Sequence, residues 1–182
     1  MLFDSTPKAL LLTPGASADR DHSTLVLIAE DLQTIHVERL TLATTSVPRA
    51  VDKIVTAVQR LAEQLGVETS DIVIGGRSFG GRACSVAAAE GLNVGGLVLL
   101  SYPLHPPGKP EKLRIEHFGD LSVPTLFVSG ERDPFGTPAE FDEHVASISA
   151  PTAIEWVTGA HSPKGVAEGE VVQIVRRYLV RA

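Results

Sequence analysis

Short apolar segments alternate along the chain with longer stretches in which apolar residues recur every three or four positions. The short segments predict strands at residues 9–13, 35–40, 71–75, 97–100, 124–129 and 153–157. The longer stretches predict helices at residues 23–32, 48–65, 79–90, 138–148 and 170–180. Because the strands are continuously apolar, both of their faces are expected to be buried. The pattern therefore predicts an α/β fold, with a mostly parallel sheet of about six strands and helices on both faces.

The length and composition favour one globular domain over residues 1–182. Hydrophobic residues make up 43% of the 182 positions and charged residues 21%, which excludes a largely disordered chain. A single cysteine excludes an intramolecular disulfide and a cysteine-based zinc cluster. The net charge of −6 repels phosphate backbones, so no nucleic-acid partner is expected.

The apolar segments are too short to direct the chain to a membrane or to anchor it there. The first of them, residues 9–12, is shorter than the apolar region of a signal peptide. No segment approaches the roughly 18 apolar residues of a membrane span. We therefore expect a cytoplasmic protein with no membrane partner.

A proline-rich stretch at residues 102–110 interrupts the alternation between the fourth and fifth strands. Its prolines remove backbone donors and fix φ, so the stretch is neither a regular helix nor a central strand. Because it lies between two predicted core strands, we expect a surface loop and not a domain boundary.

The strongest local signal for chemistry is GGRSFGG at residues 75–81, which contains G-x-S-x-G as Gly76, Ser78 and Gly80. The motif follows an apolar strand and opens a helix, as a nucleophile elbow requires. In such an elbow a sharp turn strains the serine backbone and exposes its hydroxyl, and the glycines avoid collisions. Taken alone, the pattern also fits an ordinary glycine-rich turn. Its spacing fits neither a dinucleotide-binding fingerprint nor a P-loop.

Two further residues supply the partners that a serine nucleophile needs. Asp133 follows the fifth predicted strand, and His161 follows the sixth. Nucleophile, then acid, then base is the chain order of the α/β-hydrolases. Glu131 is a rival for the acid, and Asp133 on its own also fits a turn or a helix cap. All three loops lie at one edge of a parallel sheet, so these side chains can converge there.

The rest of the site is expected around these residues. The backbone N–H groups of Phe79 and Ala16 are the expected oxyanion hole, with Ser17 as the alternative to Ala16. The acyl pocket is expected to be lined, in place of a cap, by Tyr102, Leu104 and His105.

Two arginines near the elbow have structural as well as functional interpretations, and a nearby cysteine has a structural one. Arg77 and Arg82 either favour anionic substrates or serve as surface and helix-packing arginines paired with carboxylates. Cys84 is expected to be a small buried hydrophobe behind the elbow.

Four segments together resemble a known group of proteins. They are GGRSFGGR at 75–82, YPLHPPGKPEK at 102–112, GERDPFGT at 130–137 and GAH at 159–161. They are similar to small α/β-hydrolases of the testis-expressed-protein and non-specific-lethal-complex-subunit-3 type, a group related to dienelactone hydrolase. The resemblance implies a compact α/β-hydrolase fold without a cap, with Ser78 as nucleophile, Asp133 as acid and His161 as base.

This chain differs from many members of that group in the loop after the first strand. Where they resemble His-Gly-Ala-Gly, this chain has Thr13 or Pro14 at the histidine position and Ser17 or a neighbour at the second glycine. This difference bears on the geometry of the oxyanion loop, whose expected donors are backbone groups.

The expected function is that of a serine hydrolase cleaving a small ester, thioester or related acyl substrate through an acyl-enzyme intermediate. No metal or organic cofactor is implied, and the expected partner is a small-molecule acyl substrate. The protein is expected to be a monomer or a homodimer. Two alternatives stay open. One is a non-catalytic interaction module with a vestigial site, and the other is acyl transfer or perhydrolysis by the same residues.

Overall fold

Six strands form one parallel sheet in the computed structural model, which describes residues 2–3 and 5–180. They are β1 (Ala9–Thr13), β2 (His36–Arg39), β3 (Ile72–Arg77), β4 (Gly96–Leu100), β5 (Thr125–Gly130) and β6 (Thr152–Val157). The helices are α1 (Ser23–Asp31), α2 (Val47–Leu65), α3 (Phe79–Ala89), α4 (Pro138–Val145) and α5 (Val166–Leu179). The predicted α/β fold is therefore confirmed. The predicted domain range of 1–182 includes residues 1, 4, 181 and 182, which lie outside the described residues.

The strand order in the sheet is β2-β1-β3-β4-β5-β6, and every neighbouring pair is parallel. Thr13 pairs with Gly76, and Leu100 pairs with both Arg77 and Val128. The carboxyl ends of these strands therefore meet at one edge of the sheet. Loops that leave this edge can bring residues from distant parts of the sequence together.

Apolar side chains fill both faces of the sheet, as the continuous apolar strands predict. On one face Leu11 packs into a cluster with residues of α2, α3 and α4. On the other face Leu10 and Leu12 pack into a cluster with residues of α1 and α5. Every residue of β1 and β4 is buried, so the central strands are covered by helices on both sides.

The main difference from the predicted elements is the start of α5, which begins at Val166 and not at residue 170. Its first turn lacks the apolar spacing that predicts a helix, and its one large apolar side chain, Val166, is 92% exposed. Tertiary contacts hold this turn instead, because Glu168 accepts hydrogen bonds from the hydroxyls of Ser23 and Thr24, both at 2.6 Å.

The proline-rich stretch belongs to a long connection between β4 and β5. Residues 107–112 are exposed, as expected of a surface loop, but residues 102–105 are buried. The buried part packs on the face of the sheet that α3 covers. Among the described residues, no helix has the length and apolar character needed to cross a membrane.

Candidate active site

Ser78 occupies the sharp turn between β3 and α3, with φ 50° and ψ −117°. This left-handed conformation is rare for a residue with a side chain. The neighbouring glycines are required because the elbow packs against the end of β1. A methyl group on Gly76 would lie 2.5 Å from the Thr13 carbonyl oxygen, and one on Gly80 would lie 2.8 Å from the same atom. The turn therefore has the strained geometry that the motif predicts for a nucleophile elbow.

A continuous chain of hydrogen bonds joins the serine, the histidine and the aspartate. His161 Nε2 lies 2.9 Å from Ser78 Oγ. On the other side of the ring, Nδ1 lies 2.8 Å from Asp133 Oδ2 and 3.0 Å from Oδ1. With a proton on Nδ1, the ring donates to the carboxylate and accepts from the serine hydroxyl at Nε2. The three residues come from three loops at the carboxyl edge of the sheet.

The acid loop is held by its own backbone and by the base loop. Asp133 Oδ1 accepts a hydrogen bond from the Phe135 amide at 2.9 Å. The Arg132 amide donates to the Gly159 carbonyl at 2.9 Å and so links the two loops. Asp133 is only 2% exposed, whereas the rival acid Glu131 is exposed to solvent. The structure thus brings Asp133, and not Glu131, to the histidine.

Phe135 is a member of the site that the sequence does not reveal. Its ring stacks on the His161 imidazole, with the centroids 4.0 Å apart and an angle of 29° between the planes. The stack and the Asp133 bond together fix the orientation of the imidazole. The only signal in the sequence is that an aromatic residue stands two positions after the acid, and this spacing does not predict stacking.

The two expected oxyanion donors belong to two different segments, the start of α3 and the loop after β1. Phe79 is the first residue of α3, directly after Ser78. Ala16 is exposed in the loop after β1, between Gly15 and Ser17, and Ser17 has φ 62°. That loop approaches the nucleophile, since a methyl group on Gly15 would lie 3.6 Å from Ser78 Cβ.

A cleft of about 310 Å³ adjoins the loop after β1. One wall consists of residues of that loop, and the other is the segment between β2 and α2. The residues that line it are Gly15, Ser17, Ala18, Leu42, Ala43, Thr44 and Thr45. None of these residues carries a charged side chain, and most of the side chains are small. Gly15 is the lining residue that connects this cleft to the elbow, since a methyl group on it would lie 3.6 Å from Ser78 Cβ, whereas Ser78 and His161 themselves do not line the cleft.

The structure does not form the acyl pocket predicted from Tyr102, Leu104 and His105. All three side chains are buried, with Tyr102 and Leu104 inaccessible to solvent. The Tyr102 hydroxyl donates to the Arg114 carbonyl at 2.8 Å, and His105 Nε2 lies 3.1 Å from Glu140 Oε1. These side chains pack into the core, so this prediction is corrected. Their position after β4 indicates nearness to the sheet edge but not the direction in which they point.

Within residues 2–3 and 5–180, neither Arg77 nor Arg82 forms the carboxylate pair considered from the sequence. The Arg77 guanidinium donates from Nη2 to the His161 carbonyl at 2.8 Å and also to the Ser162 hydroxyl. Burial lowers the pKa of Arg77, while the negative charges of Asp133 and Glu168 oppose that change.

Two buried groups lie on α3, behind the elbow. The Nε atom of Arg82 is buried without a hydrogen-bond partner among the described residues. Cys84 is fully buried behind the elbow, as expected, and its thiol donates to the Gly75 carbonyl at 3.3 Å. Burial raises the pKa of this thiol to about 12.

No metal site is evident in the part of the chain that the structure describes. In residues 2–3 and 5–180, no group of three or more His, Cys, Asp or Glu side chains is arranged to hold a metal ion. Serine, histidine and aspartate side chains at hydrogen-bond distance can carry out nucleophilic acyl chemistry by themselves.

Comparisons with known proteins assign the chain to a family. Dienelactone hydrolase from Anabaena variabilis superposes with a TM-score of 0.75 and 19% identity, over 96% of this chain and 86% of that chain. A thermophilic esterase from Thermogutta terrifontis superposes with a TM-score of 0.73 and 20% identity, over 96% and 90% of the two chains. Est1E from Butyrivibrio proteoclasticus has a TM-score of 0.75 and 16% identity, over 97% and 88%. These similarities show a shared fold. A profile of the α/β-hydrolase domain family matches residues 6–170, and the chain therefore belongs to that family.

Proposed function

We propose that this protein is a serine hydrolase that cleaves a small ester, thioester or related acyl compound through an acyl-enzyme intermediate. The observation that carries the proposal is the hydrogen-bonded series from Ser78 through His161 to Asp133. A buried carboxylate, an oriented imidazole and a serine in an elbow are the three parts of an activated serine nucleophile. Esterases and hydrolases among the structural relatives favour the same reaction class.

In the first half of the reaction, Ser78 Oγ attacks the substrate carbonyl and His161 Nε2 takes the hydroxyl proton. Asp133 holds the imidazole through Nδ1 and stabilises its cation. The imidazolium then gives its proton to the leaving group, and the acyl group remains on Ser78. The backbone N–H groups of Phe79 and Ala16 stabilise the oxyanion, where one donor typically contributes about 3–4 kcal/mol.

In the second half, water attacks the acyl-enzyme and His161 acts again as general base. The acid product leaves and Ser78 recovers its proton, so the cycle balances without a cofactor. The substrate is a small molecule, and the protein acts as a monomer or homodimer in the cytoplasm.

The acyl group binds in the cleft beside the loop after β1 and not near Tyr102. A volume of about 310 Å³ is at the small end of the range for ligand pockets and suits a short acyl chain. The elbow and the proline-rich stretch support placement in the group of testis-expressed-protein and non-specific-lethal-complex-subunit-3 relatives.

The test is mass spectrometry of the intact protein after exposure to a fluorophosphonate probe. We expect one adduct, which peptide mapping assigns to Ser78 and which is absent in Ser78→Ala. Ester hydrolysis in that variant should fall by roughly 10⁴-fold or more, because the nucleophile is gone. A series of p-nitrophenyl esters should favour the shorter acyl chains.

Ser101→Ala is the matched control. Ser101 also has a left-handed backbone, with φ 47°. It follows the end of β4 directly, but its side chain is buried. Labelling and turnover should survive in this variant. Folded wild-type protein that forms no adduct would contradict the proposal and would favour a non-catalytic module, for which binding partners would be sought.

A further inference from the structure

We propose that Arg77 is a positioning residue that holds the His161 loop in place over the elbow. This inference rests on the proposed function of Ser78, His161 and Asp133. Arg77 is the variable residue of G-x-S-x-G directly before the nucleophile, and it is the last residue of β3. Its side chain therefore starts from the end of the strand that leads directly into Ser78.

The contacts of Arg77 are made with the loop that supplies the base. Nη2 donates to the carbonyl oxygen of His161 at 2.8 Å and to the hydroxyl of Ser162. The first acceptor is the main chain of the histidine itself. Movement of this loop away from the elbow would therefore break a hydrogen bond to Arg77.

The same guanidinium also lies against the loop that carries the expected oxyanion donor Ala16. A methyl group on Gly15 would lie 3.1 Å from Arg77 Nη1, so the absence of a side chain at Gly15 leaves room for the arginine. The Arg77 side chain thus contacts both the loop that carries His161 and the loop that carries Ala16. Its backbone belongs to β3, the strand that precedes Ser78.

Sheet topology explains why such a connection is useful. The base loop follows β6, which lies at the edge of the sheet, with β4 and β5 between it and β3. The acid loop links to the base loop through its backbone, but it comes from β5 and not from β3. Arg77 connects the base loop directly to the strand of the nucleophile.

The chemistry of the contact fits a positioning role better than a role in binding an anionic substrate. Two of the donors of Arg77 are already used by acceptors of the protein, and both acceptors are neutral oxygens. A planar guanidinium can hold two acceptors in a fixed geometry, whereas a lysine ammonium is a flexible point charge. The Asp133 and Glu168 carboxylates act on Arg77 at longer range and favour its charged form.

The test compares Arg77→Ala and Arg77→Lys with the wild-type protein. We expect kcat for a small ester to fall about 10–100-fold in Arg77→Ala with little change in KM, because a misplaced base slows the chemical step. Labelling by the fluorophosphonate probe should slow by a similar factor. Arg77→Lys should recover part of the rate, and added guanidinium ion, well below denaturing concentrations, should restore part of the activity of Arg77→Ala.

Arg176→Ala is the control for loss of an arginine. Its guanidinium pairs with Asp31 at 3.2 Å on the surface between α5 and α1, away from the site. We expect this variant to keep the wild-type kcat and labelling rate. A thermal melt of each variant shows whether a loss of rate reflects unfolding.

A second readout does not depend on turnover. The proton shared by His161 Nδ1 and Asp133 should give a far-downfield ¹H NMR signal, which should broaden in Arg77→Ala and persist in Arg77→Lys and Arg176→Ala. An unchanged signal together with wild-type kcat in Arg77→Ala would overturn the positioning role. The proposed function would instead be overturned if the signal is present in the wild-type protein and broadens in Arg77→Ala, but the wild-type protein does not react with the fluorophosphonate probe.

Discussion

Ser78 shows how much of a site can depend on the backbone conformation of one residue. A left-handed serine costs on the order of 1–3 kcal/mol and persists only where its surroundings enforce it. Here the Ser78 amide donates to the Leu100 carbonyl at 2.8 Å, and the Ser78 carbonyl accepts from the Arg82 amide at 3.0 Å. These bonds tie the strained residue to β4 on one side and to α3 on the other.

Cys84 provides a test of how tightly the region behind the elbow is packed. Its thiol is fully buried and its pKa is raised to about 12, so the reactive thiolate is scarce at neutral pH. We expect the folded protein to resist alkylation by iodoacetamide. The unfolded protein should take up one equivalent, because the chain has one cysteine. Equal rates in the folded and unfolded protein, followed by mass spectrometry, would contradict this packing.

Individual residues differ in how far the sequence could predict them. Ser78, Asp133 and His161 could be named because each follows a recognisable strand and together they have a known order. The contacts of Phe135 and Arg77 could not be predicted, since both depend on how two loops approach each other in space. The burial of Tyr102 could not be predicted either, because its position in the sequence does not define the direction of its side chain.

At the scale of elements, periodicity predicts helices and strands well where one side of the element is buried. The 19-residue helix α2 begins at Val47, with a proline in its first turn, and ends at Leu65, directly before Gly66, which has φ 65°. Apolar spacing, the early proline and the following glycine all favour those bounds. Helix α5 starts earlier than predicted because hydrogen bonds to Glu168, and not apolar spacing, hold its first turn.

Two glycines in different helices should respond to alanine in opposite directions. In α3 a methyl group on Gly80 would lie 2.8 Å from the Thr13 carbonyl oxygen, and backbone cannot move aside easily. In α5 a methyl group on Gly169 would meet nothing within 4 Å. We expect Gly80→Ala to lower the free energy of unfolding by about 1–3 kcal/mol. Gly169→Ala should raise it by about 0.5–1 kcal/mol, because alanine favours helix.

Urea unfolding of the two variants measures this difference directly. Ester hydrolysis provides a second comparison, since Gly80 supports the elbow and Gly169 does not. A stabilised Gly80→Ala protein would mean that the elbow and the end of β1 are less closely packed than the structure shows.

At the scale of the whole molecule, the parallel sheet determines where the site lies and what covers it. The nucleophile follows β3, the acid β5 and the base β6, and their loops meet at one edge. The buried part of the long connection between β4 and β5 packs on the face of the sheet that α3 covers. Its aromatic residues Tyr102 and Phe118 pack with Phe127 of β5 in the core. This connection therefore contributes to stability on the face of the sheet that α3 covers.

His117 lies in that connection, and we expect it to make the stability of the protein depend on pH. Its Nε2 lies 2.8 Å from the hydroxyl of Ser85 on α3. Burial lowers the pKa of His117 below its ordinary value of 6.5, and the charge of Arg82 lowers it further, while Glu116 and Asp120 oppose the change. The unfolded chain therefore binds a proton at a higher pH than the folded protein does.

The contribution of His117 to stability should be complete above pH 6.5 and should decline as the pH falls below that value. We expect urea unfolding to give a lower free energy at about pH 5.5 than at about pH 7.5. His117→Gln keeps a side chain that can hydrogen-bond to Ser85 but cannot titrate, so the difference between the two pH values should shrink. It should not vanish, because burial also lowers the pKa of His22. An undiminished difference in His117→Gln would show that the acid sensitivity arises elsewhere in the molecule.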